Sequence, residues 1–400
     1  MSKRTDQVLA AGAVIVGIVV SGILGLWGYM SMTAVPLHPN ASAVSSVEAS
    51  APQQQWAAPA DAARQAVRTA LSQQNLPGLS VAVGVDDEIV WAEAFGWADM
   101  ENKTPLDPST RLRIGTASIA LTSAAAGLLL EKGRLTLDDD IHKWVPEYWS
   151  HEWPITLGQL MGHTAGIAND GGDEGALYGR HCSRPVEALQ YFSGYERELR
   201  FMPGSEYRFS SYGWVLVSAA IEAAADQPLL TFMQRQIFDS LGMRDTGADT
   251  STDAQGERAT SYFPRFSADP HYGFHLMRPI DFSCYSGASV FVSTPSDLVR
   301  FAMAITGGRL LAPETVTLLQ TPQRLPSGAD TGYGLGWDVE DVILAGQPAR
   351  WVGHDGTLLG GQAVVLMTFP DRKLTVAVAS NASYTDAEAI GLAIANAFAN

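Results

Sequence analysis

Cysteine is scarce in this sequence, and positive charge is sparse. Cys182 and Cys284 are the only two cysteines among 400 residues, too few and too far apart for a disulfide scaffold or a zinc site. They form one bridge in an oxidising compartment or remain two free thiols. The net charge is −16, and no basic patch stands out. This argues against binding to the phosphate backbone of nucleic acids. We therefore expect no nucleic-acid partner.

Several enzyme signatures are also missing. The chain has no GxSxG, HExxH, phosphate-binding-loop or dinucleotide-binding fingerprint. We expect no cofactor and no metal site. Charged residues make up only 17% of the chain and apolar residues 46%, a composition that can build a large core and is unlike that of disordered proteins.

One long apolar run lies near the N-terminus. Val8–Met30 contains no charged residue, and about 20 such residues span the hydrocarbon of a bilayer. Lys3 and Arg4 precede the run, whereas no Lys or Arg follows it closely. The positive-inside rule then predicts a single-pass protein with a cytoplasmic N-terminus and its large domain on the outer, periplasmic or extracytoplasmic, side. The alternative is a cleaved signal peptide, with a cleavage site at Ala41–Ala43.

Small residues form a ridge along this segment. Ala13, Gly17, Ser21 and Gly25 recur every four residues and so share one face of a helix. Such ridges let two helices approach closely in lipid, which predicts a homodimer through the transmembrane helix. The alternative is that Gly and Ala are simply common in membrane helices.

The remaining chain divides into a linker and a folded domain. Residues 33–58 are rich in Ala, Ser, Pro and Gln and have no periodicity, which is typical of a disordered linker. Strand patterns occur at both ends of the following region, with helical patterns between them and a helix at the end. This order predicts an α/β (α+β) sheet domain with an all-α region. The predicted divisions are a cytoplasmic segment 1–7, an anchor 8–30, a flexible linker 31–59 and a domain 60–400.

Four segments together resemble the serine β-lactamase-related family. Residues 113–148 resemble its nucleophile helix with the following loop, and residues 155–167 resemble its His-Thr-Ser-Gly segment. Residues 203–222 resemble its second motif, and residues 353–361 resemble its third. The family includes class C β-lactamases, penicillin-binding proteins, D-alanyl-D-alanine carboxypeptidases, esterases and a mitochondrial β-lactamase-like protein. The resemblance implies a β-lactamase/transpeptidase-like fold, an antiparallel sheet flanked by helices. It also implies that Asp138–Asp140 is a solvated turn rather than a metal site.

The first catalytic motif of this family is degraded. The family places a serine at the start of a buried helix and a lysine three residues later, on the same helix face. Here Thr116 takes the serine-like position and Ile119 the lysine-like position. An alcohol needs a base to become a nucleophile, and Ile119 cannot be one. Ser118 should point to another face and serve packing.

The second motif is degraded as well, and the third survives best. Phe209 replaces the expected tyrosine, and Ser211 takes the Asn-like position. Tyr207 or Tyr212 could restore a phenol only through a register shift. His354 matches the His/Lys of the third motif. The resemblance implies an oxyanion hole formed by the backbone N–H groups of Thr116 and Thr357.

Two functional hypotheses follow from these residues. The first is a pseudoenzyme that binds or scaffolds, with an unknown ligand such as a peptide or an acyl compound. The second is an active hydrolase of the esterase, peptidase, carboxypeptidase or β-lactamase type. It would use Thr116 as nucleophile, with His354 as the second catalytic residue.

Overall fold

The structure is a computed structural model of the 400-residue chain, and it describes residues 2–149, 151–169, 175–249, 258–266, 268–358 and 361–399. In these ranges the helices are α1 Ser2–Thr33, α2 Ala57–Gln73, α3 Ser118–Glu131, α4 Leu157–Met161, α5 Gly194–Arg197, α6 Ser211–Ala225, α7 Leu229–Met233, α8 Asp239–Leu241, α9 Pro295–Thr306, α10 Pro313–Gln320 and α11 Ala387–Phe398. The strands are β1 Ser46–Glu48, β2 Gly78–Val85, β3 Glu88–Asp99, β4 Thr104–Pro105, β5 Leu112–Arg113, β6 Gly247–Ala248, β7 Tyr262–Pro264, β8 Phe274–Leu276, β9 Phe291–Ser293, β10 Asp338–Leu344, β11 Gln347–Leu358, β12 Gln362–Phe369 and β13 Leu374–Ser380.

The central sheet joins the two ends of the domain. Its strand order is β1-β3-β2-β13-β12-β11-β10, and neighbouring strands run antiparallel. The hairpin of β2 and β3 turns at Asp86 and Asp87, whose φ angles of 47° and 70° suit the tight turns that match strand twist. The predicted antiparallel sheet is therefore confirmed.

Alternation along the central strands divides the core into two layers. Val81 and Val83 of β2 pack on the face covered by α2 and α11, whereas Ala82 between them belongs to the other layer. Successive side chains of a strand point to opposite faces, so each face receives its own helices. The second layer contains α3, α6 and α9, which is the predicted helical part of the fold.

A disulfide bond joins two distant parts of this second layer. Cys182 and Cys284 are bonded, 102 residues apart in sequence. The bond links the segment before the 3-10 helix Pro185–Tyr191 to the turn that precedes β9. Of the two states that the sequence allows for these cysteines, the structure contains the bridge.

The predicted disordered linker is wrong for much of its length. Strand β1 extends the sheet by pairing with β3, Val44 is buried in the α2 layer, and the ring of His38 stacks on Trp97 at 4.6 Å. The segment does not need a core of its own, because a few side chains enter the existing one and the edge of β3 pairs with its backbone. The average hydrophobicity of a sequence window does not reveal such isolated buried side chains.

Helix α1 contains the predicted anchor and is longer than predicted. Residues Gly12–Thr33 are apolar and long enough to cross a membrane, and nearly all of that stretch is exposed. Near its end the ring of Tyr29 contacts that of Phe266 in an edge-on arrangement, with centroids 6.3 Å apart. The ridge of small residues lies on this exposed helix, and its self-association stays a prediction.

Candidate active site

Thr116 lies in a 3-10 turn, Gly115–Ala117, that leads directly into α3. The N–H of Ile114 donates to the carbonyl of Phe291 at 3.1 Å, which ties the start of the turn to β9. The Thr116 hydroxyl donates to the carbonyl oxygen of Asp355 in β11 at 3.3 Å. The predicted nucleophile therefore faces the strand of the third motif, and its proton points at a backbone oxygen.

The edge of β11 is open where it meets this turn. Strand β10 pairs with β11 only up to Gly353, so the following residues present their backbone to the turn. A Cβ on Gly356 would collide with the carbonyl oxygen of Ile114, so only glycine permits this approach. Asp355 and Thr357 are two residues apart, and their backbone groups point to the same edge. The structure thus places both predicted oxyanion donors, Thr116 and Thr357, on facing elements.

The lysine-like position is filled by hydrocarbon. Ile119 is completely buried in the core around α3. Ser118 is also completely buried, and its hydroxyl has no hydrogen-bond partner within the described residues. Neither side chain offers Thr116 a basic group. A hydroxyl without an adjacent base remains protonated at neutral pH and is a poor nucleophile.

The tyrosine-like position is occupied by a ring without an oxygen. Phe209 packs against the imidazole of His163 with centroids 4.4 Å apart. Tyr212 does not replace it, because its side chain is buried and its hydroxyl accepts the N–H of Ala176 at 3.1 Å. Ser211 opens α6, and its N–H donates to the side-chain oxygen of Asn169 at 3.3 Å.

His163 has a structural place in this arrangement. Its Nδ1 accepts the N–H of Ser210 at 3.0 Å, so the ring proton lies on Nε2. Burial, with a smaller contribution from His354, holds the pKa of His163 well below its usual value. The ring is therefore neutral and positions the start of α6.

Tyr333 is a site residue that the sequence reasoning missed. Its hydroxyl lies 2.8 Å from Nε2 of His354, and both side chains are buried. Burial, together with the nearby charge of Asp338, raises the pKa of Tyr333 well above its usual value. The glycine-rich stretch 332–336 around it was the available signal, but no fixed spacing links that loop to His354.

Carboxylates gather on the other side of His354. Its Nδ1 lies 3.7 Å from Oδ2 of Asp338 and 3.9 Å from Oδ1 of Asp355. Burial raises the pKa of Asp338, and the charge of Asp355 adds to that effect. Burial and neighbouring carboxylates likewise raise the pKa of Glu340 and of Glu388. The rim of the site beside β11 is therefore acidic.

Comparison with known proteins agrees with this geometry. The sequence model of the family described as Beta-lactamase matches residues 63–400. The chain belongs to the β-lactamase family. The human serine beta-lactamase-like protein LACTB, mitochondrial, is 25% identical over 385 residues, covering 73% of this chain and 68% of the relative. Esterase EstB of Burkholderia gladioli is 27% identical over 348 residues, covering 77% of this chain and 86% of that protein.

Solved structures support the fold of this β-lactamase-family chain. The octameric penicillin-binding protein homologue from Pyrococcus abyssi superposes with a TM-score of 0.71 at 22% identity, covering 83% of this chain and 76% of that one. The similarity confirms the predicted β-lactamase/transpeptidase-like fold. In this fold the Thr116 hydroxyl contacts the backbone of β11 at Asp355, next to His354 with its buried Tyr333 neighbour and nearby carboxylates.

Proposed function

We propose that this β-lactamase-family protein is a pseudoenzyme that acts by binding or scaffolding through its former catalytic cleft. The observation that carries the proposal is Ile119, whose fully buried side chain stands one helical turn after Thr116. The position that needs an amine is part of the hydrophobic core. Losing a nucleophile–base unit costs on the order of 10⁶ in rate.

A second observation supports the same proposal. Phe209 fills the tyrosine-like position by packing on His163, so no phenol there can deliver a proton to a leaving group. The three changed side chains at 116, 119 and 209 keep roughly the volume of the expected residues while removing polar function. Volume-conserving exchanges preserve a core, which accounts for an intact fold around a degraded site.

The alternative is a hydrolase of esters, amides or peptides with Thr116 as nucleophile. One contact favours it: the Thr116 hydroxyl and Nδ1 of His354 both hydrogen-bond to the Asp355 carbonyl, at 3.3 and 2.5 Å. The imidazole is therefore near the alcohol, and a rotation of the threonine hydroxyl could bring the two together. Such a pair would use an acid–base group that the family places in its third motif.

The test is covalent labelling of the full-length protein in detergent. We expect no labelling by a fluorescent penicillin or a fluorophosphonate, and no nitrocefin hydrolysis above that of heat-denatured protein. Thr116→Ala is the matched control, because it removes the only alcohol on the facing turn. Labelling of the parent that disappears in Thr116→Ala would contradict the pseudoenzyme and favour the hydrolase.

We also propose that α1 anchors the protein and that the folded domain lies on the outer side of the membrane. The charges of Lys3 and Arg4 before the apolar stretch support this orientation. The Cys182–Cys284 disulfide supports it independently, since such bonds persist in oxidising compartments. The cleaved signal peptide remains the alternative.

A further inference from the structure

We propose that Asp338, His354 and Asp355 form a binding site for one divalent transition-metal ion, Zn²⁺ foremost, at the rim of the former cleft. Asp338 is the first residue of β10, and His354 and Asp355 lie in β11 where its edge is open. The proposal goes beyond the proposed function and does not depend on it, because a metal could bind here whether or not Thr116 reacts.

The geometry of the three side chains suits a shared ion. One ligand atom of each lies within 4.8 Å of the other two. Nδ1 of His354 lies 3.7 Å from the Asp338 carboxylate and 3.9 Å from that of Asp355. Ligands about 2.1 Å from a tetrahedral Zn²⁺ stand roughly 3.5 Å apart, so the two distances from Nδ1 of His354 need to shorten by only a few tenths of an ångström, and the two carboxylates can rotate toward each other.

The local charge favours a cation. Within the described ranges, the ion-pair partner of both Asp338 and Asp355 is His354 alone. The carboxyl groups of Glu340 and Glu388 also lie near Asp338 and Asp355. A divalent ion would neutralise repulsion between carboxylates that protein cations leave uncompensated.

His354 is held as metal-ligating histidines usually are. Its ring is buried, and Nε2 lies 2.8 Å from the Tyr333 hydroxyl, a group that can donate to Nε2 or accept from it. A hydrogen bond at the second ring nitrogen fixes the orientation and the tautomer of a ligating imidazole. In the structure Nδ1 donates to the Asp355 carbonyl at 2.5 Å, so metal binding at Nδ1 would replace this hydrogen bond and place the ring proton on Nε2. The Asp355 carbonyl would then keep the Thr116 hydroxyl as its donor.

The donor set selects among metals. One imidazole nitrogen and two carboxylates suit Zn²⁺, whereas Mg²⁺ prefers oxygen ligands throughout. Asp355 is largely exposed, its side chain being 62% accessible, so the site has a path from solvent. Three protein ligands leave a fourth position for water or for a group of a bound ligand.

The test titrates Zn²⁺ into chelator-treated, full-length protein in detergent, with Mg²⁺ present in excess. We expect saturation at one Zn²⁺ per chain and, with Co²⁺ as a second probe, visible absorption of a nitrogen- and oxygen-ligated ion. Asp355→Asn, an exposed change that should not disturb folding, should weaken binding at least about tenfold. Asp341→Asn removes the same charge from an exposed position of β10, and this variant should bind Zn²⁺ with the same affinity as the parent.

Two results would overturn the proposal. One is the absence of saturable binding in the presence of Mg²⁺. The other is equal affinity in the parent and in Asp355→Asn, which would assign the metal to other histidines of the chain. Neither result affects the labelling experiment, because that experiment compares the parent with Thr116→Ala and measures no metal binding.

Discussion

Ile119 shows how one residue can remove a catalytic function while serving the fold. Its side chain is completely buried among apolar neighbours, where an ammonium group would lose its hydration without a partner. We expect the triple variant Thr116→Ser, Ile119→Lys, Phe209→Tyr to fold, and to lose about 3 kcal/mol in free energy of unfolding. Chemical denaturation of the full-length protein in detergent measures the loss.

The control for this restoration is Ile119→Met, which conserves volume and should cost less than about 1.5 kcal/mol. Some acylation by a fluorescent penicillin is expected to return in the triple variant. A triple variant as stable as the parent would show that the native side chains do not relieve a costly polar site.

His163 predicts a pH dependence of stability. Burial lowers its pKa in the folded protein well below the usual 6.5, whereas the unfolded chain keeps the usual value. As the pH falls below about 6.5, the unfolded state takes up a proton that the folded state excludes. The free energy of unfolding therefore decreases, by up to about 1.4 kcal/mol per pH unit.

The matched variant is His163→Asn, whose side-chain oxygen can replace Nδ1 as the acceptor for Ser210. Asparagine also tolerates the φ of 57° at this position. We expect the stability of the variant to fall less than that of the parent between pH 7 and pH 5, as measured by urea denaturation. Parallel pH profiles would exclude His163 as the source.

The degraded motifs could be located from sequence through the family resemblance, because the spacing within each motif is local. Thr116 and Ile119 are one helical turn apart, and Phe209 and Ser211 flank the start of one helix. Tyr333 and Asp338 were not predictable, because they reach His354 from a separate loop and strand. Only the pairing of β10 with β11 brings them there.

At the scale of elements, the segment before α2 was predicted to be disordered but packs against the domain, and this packing can be tested. Val44 is 4% exposed and packs in the layer that contains α2 and α11. We expect Val44→Ala to lower the free energy of unfolding by about 1–2 kcal/mol, because it removes two buried methyl groups. Val35→Ala is the control, since Val35 is 67% exposed and its truncation should change stability by less than about 0.5 kcal/mol.

Equal effects of the two valine variants would mean that the segment behaves as the disordered linker expected from composition. The strand patterns at both ends of the domain and the final helix could be predicted because each carries a run of apolar residues. Strand β1 has three residues and no such run. Its order depends on the neighbouring edge of β3, which no window of the sequence contains.

At the scale of the whole molecule, the apolar helix α1 and the disulfide both bear on which side of the membrane the folded domain lies. The proposed orientation rests on Lys3 and Arg4 near the N-terminus, whereas the disulfide Cys182–Cys284 lies in the folded domain. A domain outside the cytoplasm should satisfy both features, whereas a cytoplasmic domain would meet thiol-reducing conditions. The redox state of the cysteines therefore reports topology without any fusion partner.

The chain has two cysteines in all, so the number of reactive thiols in protein from a bacterial host shows directly whether the disulfide has formed. We expect acid-quenched parent protein to take up no polyethylene-glycol maleimide until it is reduced, and two afterwards. Lys3→Glu with Arg4→Glu reverses the charge asymmetry, so part of that variant should insert with its domain in the cytoplasm and react without reduction. The proposed anchor α1 predicts that an N-terminal epitope remains on the membrane-bound protein. Reactive thiols in the parent would contradict the outer location, and a soluble form that begins near residue 44 would identify the segment as a signal peptide.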